Sequence, residues 1–213
     1  MSIISKSLDK IQTSPTLQVT QKARELRAAG KDIIGLSAGE PDFDTPENIK
    51  QAAIKAINTG QTKYTTVDGI SSLKEAIQTK FKRENDLNYT LEQITVGAGA
   101  KQVLYNALVS TLNNLDEVII PAPYWVSYPD MTLLAGGIPR IVSTNQNNNF
   151  KITPKELERA INKKTKWIIL NSPSNPTGMC YSNDELLKLS KVLLNYPNVW
   201  VMTDDIYEHI IYD

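Results

Sequence analysis

The sequence has one cysteine, Cys180, and one histidine, His209. A disulfide framework within the chain is therefore excluded, and a lone thiol suits a reducing, cytoplasmic compartment. One Cys and one His are poor material for a zinc site or a Cys–His nucleophile pair, so no metal is expected. Charge of one sign is also lacking, since 23 basic residues balance 23 acidic ones. Without a block of like charge there is no nucleic-acid stripe and no polybasic membrane patch. No apolar run nears the roughly 18 residues that span a bilayer. The opening MSIISKSLDK lacks the apolar stretch of a secretory signal. What remains is a soluble globular protein of 213 residues, long enough for one sizeable core or part of a larger one.

Helical patterns alternate with short β-branched runs, which predicts an α/β fold with a mostly parallel sheet flanked by helices. In DTPENIKQAAIKAI, Thr45 is expected to cap a helix with Pro46 at its first position. Ile49, Ala53, Ile54 and Ile57 form its apolar stripe. SSLKEAIQTKF is a second amphipathic helix. Capping boxes start two more, Thr153 with Glu156 and Ser182 with Glu185. Strands are expected at ITV (94–96), EVII (117–120), WIIL (167–170) and VWVMT (199–203). The tract NQNNN (145–149) reads as a surface turn. Residues 1–45 read as an arm and part of a smaller domain. Residues 46–213 read as the main sheet domain.

WIIL and VWVMT are joined by one helix, so they run parallel and their carboxyl ends share an edge, where ligands collect. The stiff loop NSPSNPTG (171–178) follows the first, and Asp204 and Tyr207 follow the second. ITV leads to Gly97 and Gly99 on the same edge if it too is parallel. The VGAGAK turn opens a helix whose free N–H groups make an anion cradle; the plain alternative is a tight turn that needs glycine. Asp204 follows an apolar run and would favour a cationic partner, or it is simply a solvated carboxylate. Trp125 offers a flat face for stacking a ring, or it is a packing aromatic. Together these features describe a pocket for a phosphorylated aromatic cofactor.

In this order, SAGEPDFDTP, TKYTTVDGISSLKEAI, GAKQ, PYWVSYPDM, NSPSNPTG and DDIYEH resemble the class I pyridoxal-phosphate aminotransferases. The nearest resemblance is to the bacterial aspartate aminotransferase branch, whose members sometimes also use prephenate. It runs from about Ser14 to Asp213. It implies the large-domain fold of those enzymes, here incomplete, and pyridoxal phosphate as cofactor. By resemblance, Asp204 would pair with the pyridine nitrogen, and Tyr207 and Asn175 would hydrogen-bond the ring hydroxyl oxygen. Trp125 would stack on the ring, and Gly99, Ala100 and Lys101 would hold the phosphate. Tyr64 would reach the phosphate of a neighbouring subunit, which implies a homodimer. Gly39, Asn175 and Trp125 would meet the substrate carboxylate, and Lys101 the distal carboxylate of an acidic substrate. Amino acids and 2-oxo acids would be the small-molecule partners, with the amino group passing from aspartate to 2-oxoglutarate.

The resemblance also marks a departure. The family's Schiff-base lysine follows the DDIYEH strand by a further strand and loop, so no catalytic lysine is expected within 1–213. Lys163, Lys164, Lys188 and Lys191 read as solvated. The expectation is an N-terminal half that is not competent alone and leaves apolar sheet edges open. A non-catalytic remnant that binds cofactor weakly or not at all remains an alternative. So does another class I aminotransferase or a carbon–sulfur lyase. Gln12 and Thr13, in the prephenate-linked stretch, leave dual activity undecided.

Overall fold

The structure is a computed structural model and describes residues 3–11, 15–36, 39, 41 and 43–212. Gln12 and Thr13 lie outside the described residues. The chain divides into two compact units, Thr13–Gly97 and one that joins Met1–Gln12 to Ala98–Asp213.

The first unit carries helices α1 (Pro15–Ala28), α2 (Glu47–Asn58) and α3 (Ser71–Asn85). The start of α2 corrects one expectation. Pro46 itself occupies the N-cap position and no side chain caps the helix, so Thr45 does not. A proline at the cap leaves the first N–H groups without a hydroxyl acceptor. The α2 stripe is as periodic as the sequence implies, but Ile49, Ile54 and Ile57 are all exposed. Lys74, buried on α3, pairs with Asp68. ITV is not a strand. Ile94 is buried and extended, and Val96 N–H bonds only to the Asp68 carbonyl at 2.9 Å. A β-prone run becomes a strand only when a neighbour pairs with it.

The second unit holds α4 (Ala100–Thr111), β1 (Glu117–Ala122), α5 (Ser127–Leu134) and β2 (Ile138–Ser143). These are followed by α6 (Pro154–Ala160), β3 (Thr165–Asn171), α7 (Asn183–Leu193) and β4 (Trp200–Asp204). The four strands form one sheet in the order β2-β1-β3-β4, every pair parallel. Both predicted capping boxes close, Thr153 on Glu156 and Ser182 on Glu185.

Alternation along the central strands explains why they read as unbroken apolar runs. Val118, Ile120, Trp167 and Ile169 face one layer with Leu104 and Leu108 of α4 and Tyr128 and Met131 of α5. Ile119, Ile168 and Leu170 face the other, with Leu157 of α6 and Leu189 of α7. A parallel sheet covered on both faces has no polar side to show. At the edge of the sheet, Trp200 and Val201 of β4 remain exposed.

Candidate functional site

Three carboxyl ends of the second unit's sheet converge. β1 leads through the 123–126 turn to Trp125, β3 ends at Asn171, and β4 ends at Asp204. Asn171 and Asp204 are partners in register, so the strands deliver them side by side. The result is a cleft of about 140 Å³ lined by Ala100, Trp125, Tyr128, Asn175, Asp204 and Tyr207, among others.

Asp204 is only 9% exposed, as a carboxylate at the end of an apolar strand would be. Its Oδ2 accepts a hydrogen bond from the Tyr128 hydroxyl at 2.7 Å, and its Oδ1 accepts from the Ile206 N–H at 3.3 Å. No cation pairs with it among the described residues. Burial, first, and then the hydrogen bond to Asp204 push the Tyr128 phenol far above the usual tyrosine range, so it stays a donor.

The stiff loop is held from both ends. The Asn171 side chain donates to the Asp204 carbonyl at 2.7 Å and accepts from the Asn175 N–H, also at 2.7 Å. Asn175 in turn donates to the Tyr207 hydroxyl at 3.4 Å. Behind the loop, Ser172 Oγ accepts from the Tyr181 N–H at 3.0 Å, and Lys151 donates to the Cys180 carbonyl at 3.1 Å. Two prolines already narrow the unfolded ensemble of this stretch. The hydrogen bonds then fix where Asn175 points.

At the start of α4, Gly99 is the N-cap with φ +90°, and a Cβ built there meets nothing within 4 Å. The space beside its backbone is open. The Ala98 N–H is taken by the Gln102 side chain, but those of Gly99, Ala100 and Lys101 meet no acceptor among the described residues. The Lys101 ammonium lies 4.9 Å from the centroid of the Trp125 ring, and that ring meets Tyr128 edge-on at 5.4 Å.

The second unit thus brings together Gly99, Ala100, Lys101, Trp125, Asn175, Asp204 and Tyr207. Gly39 and Tyr64 belong to the first unit, where both are exposed. Two contributors carried no role in the sequence reading. Tyr128 had a signal: it lies three residues after Trp125 and turns onto the same side at a helix start. Asn171 had one too, as the carboxamide that ends β3 beside Asp204.

A buried carboxylate without a cation, an aromatic face, an amide–phenol pair and a free helix start form a site for a ring cation bearing an anionic arm. Comparison with known proteins gives that site a family. The family described as "Aminotransferase class I and II" matches residues 31–213. The chain belongs to this family. Its members are pyridoxal-phosphate enzymes.

The aspartate/prephenate aminotransferase of Cereibacter sphaeroides is 62% identical over the whole chain, which covers 53% of that protein. The one from Nitrosomonas europaea is 54% identical over 98% of the chain, covering 52% of its length. Among solved structures, the aspartate aminotransferase of Rhizobium meliloti aligns over 100% of the chain and 53% of its own, at 47% identity and a TM-score of 0.96. That of Thermus thermophilus with maleate aligns over 100% of the chain and 56% of its own, with 43% identity and a TM-score of 0.96. The chain spans about half the length of the relatives it matches. Among the described residues, no helix is long and apolar enough to cross a membrane.

The residues present fit the cofactor that the family uses. Asp204 lacks the cation that a protonated ring nitrogen would be, and the open space beside Gly99 would admit a phosphate to the free N–H groups of α4. No lysine lines the cleft among the described residues.

Proposed function

We propose that the cleft binds pyridoxal phosphate and that this chain supplies the ring-binding half of an aspartate aminotransferase. The observation that carries the reading is Asp204, buried at the cleft with both oxygens on neutral donors and its charge unmatched. The bound cofactor supplies a ring that withdraws electrons from the α-carbon of an amino acid. The remaining work falls to the protein. Asp204 would keep a proton on the ring nitrogen by offering it a poorly solvated negative charge. Asn175 and Tyr207, hydrogen-bonded to each other, would meet the ring hydroxyl oxygen. Trp125 would stack on one ring face. The N–H groups of Gly99, Ala100 and Lys101 would hold the phosphate.

Asn175 and Trp125 would receive the substrate carboxylate. Lys101, cationic and exposed, favours an acidic amino acid and so aspartate with 2-oxoglutarate; prephenate is a further candidate. Tyr64, fully exposed, is free to serve a second subunit in a homodimer. An arm with part of a small domain over 1–45, a cofactor domain over 46–213 and a cytoplasmic location belong to the same reading. Among the described residues no lysine side chain lines the cleft, and Lys101 lies over the Trp125 ring, so residues 1–213 alone would not transaminate.

A chimera tests this directly. Residues 1–213 would be joined to the remaining portion of the Cereibacter sphaeroides relative and assayed with aspartate and 2-oxoglutarate. Turnover is expected, and its abolition by Asp204→Ala would tie it to this cleft. A folded chimera that neither binds pyridoxal phosphate nor turns over aspartate would overturn the reading.

A further inference from the structure

We propose that Tyr128 is a positioning residue for the cofactor ring, acting through Asp204 by holding its carboxylate without neutralising it. This rests on the cofactor reading above and adds a residue that the reading does not need.

The argument begins with the cost of burying a charge. A carboxylate withdrawn from water must be compensated, and a lysine or arginine would do so most strongly. Such a partner would also cancel the charge that a ring cation is meant to meet. Tyr128 compensates differently. Its hydroxyl donates to Oδ2 at 2.7 Å, and it is itself only 2% exposed. A neutral donor lowers the cost of burial and leaves the negative charge whole. It also fixes the plane of the carboxylate, because the other oxygen has only a 3.3 Å bond from the Ile206 N–H.

The tyrosine is in turn well placed. It lies in the first turn of α5, where its N–H bonds back to the Trp125 carbonyl at 3.1 Å. Its ring meets the Trp125 ring edge-on at 5.4 Å. One residue therefore ties the stacking face to the charge, which sets the distance between the two grips on a ring. The titratable groups lining the cleft are Tyr128 from α5, with Asp204 and Tyr207 from β4 and its continuation. Lys101 of α4 lies over the Trp125 ring. None of these competes for Oδ2.

A role in packing alone would weaken every ligand of the cleft alike. A role in presenting charge would weaken only ligands with a ring cation. Two probes separate these: pyridoxamine phosphate, and its carbocyclic analogue with CH in place of the ring nitrogen. Their binding to the 213-residue chain would be measured by equilibrium dialysis, with circular dichroism as the check on folding. In Tyr128→Phe, affinity for pyridoxamine phosphate is expected to fall about tenfold, the scale of one hydrogen bond to a charged group, with the analogue unmoved. Equal losses for both probes, or none, would overturn the proposal and leave the cofactor reading standing. Should the wild-type chain bind neither probe, the cofactor reading fails and this role fails with it. If Tyr128→Phe does not fold, 4-aminophenylalanine at position 128 keeps the ring shape and a weaker N–H donor. The preference should then fall part of the way, and an unchanged preference would refute the role.

Discussion

Lys151 and Glu185 meet at 2.7 Å across 34 positions of sequence. The ammonium comes from just ahead of α6 and the carboxylate from the first turn of α7, so the pair braces the far side of the 172–181 loop. The same ammonium takes the Cys180 carbonyl, and the neighbouring Ile152 N–H bonds to the Tyr181 hydroxyl at 3.0 Å.

This brace predicts an acid-sensitive step. The hydrogen bond from Lys151 holds the Glu185 carboxyl below its ordinary value of 4.5. A lowered folded-state value means the stabilisation is complete above about pH 4.5 and is lost as pH falls through the lower folded value. Glu185→Gln should therefore destabilise the chain at neutral pH and change little at the acid end. Urea unfolding across pH 2.5 to 7 would check this, and a difference that did not shrink on acidification would contradict it.

Asp204→Ala removes the charge at the cleft and leaves the Tyr128 hydroxyl without its acceptor. In the chimera, turnover should drop by about a hundredfold or more, the scale of one lost electrostatic contact in a closed site. Steady-state kinetics at saturating aspartate would show it. Turnover within a factor of a few would remove Asp204 from its assigned role.

Gly99→Ala separates strain from crowding. Nothing stands within 4 Å of the new Cβ, but φ of +90° is a conformation that alanine resists. The expected cost is roughly 1–3 kcal/mol of stability. Phosphate-ester affinity should fall too if the turn relaxes. Chemical denaturation paired with dialysis would report both.

Ile119 is fully buried between β1 and the α6–α7 layer. Ile119→Ala should cost about 2–5 kcal/mol, from the lost transfer free energy and the cavity left behind. Ile119 faces the layer opposite to Tyr128 and Trp125, so any cofactor affinity that survives folding should be unchanged.

Much of this was legible in the sequence because it rests on local chemistry. The capping boxes at Thr153 and Ser182 involve residues three apart, and β1, β3 and β4 announce themselves as apolar runs. β2 was not legible. Pro139 and Arg140 interrupt its pattern, and an edge strand tolerates both because only one side is paired. α5 was hidden for a different reason: no side-chain cap marks its start in YWVSYPDM, and its helix exists because Tyr128 and Met131 pack into the core with Val118 and Ile120 of β1. The strand expected at ITV failed because pairing is a property of the neighbour, which a run of three residues does not encode. The site residues were legible as types. The bond from Tyr128 to Asp204, spanning 76 positions, was legible only in three dimensions.

The order β1-β3-β4 has a further consequence. Adjacent strands in any sheet lie about 4.8 Å apart, so elements at the first and third of these ends begin roughly 10 Å from each other. That interval is a ruler built from backbone. Side-chain changes at Trp125, Asn175 or Asp204 can alter what is gripped, but the span between grips belongs to the ladder. A ligand much longer or shorter than the ruler would call for a strand gained or lost. Divergence in a protein of this design is therefore channelled toward the groups a ligand carries and away from its length.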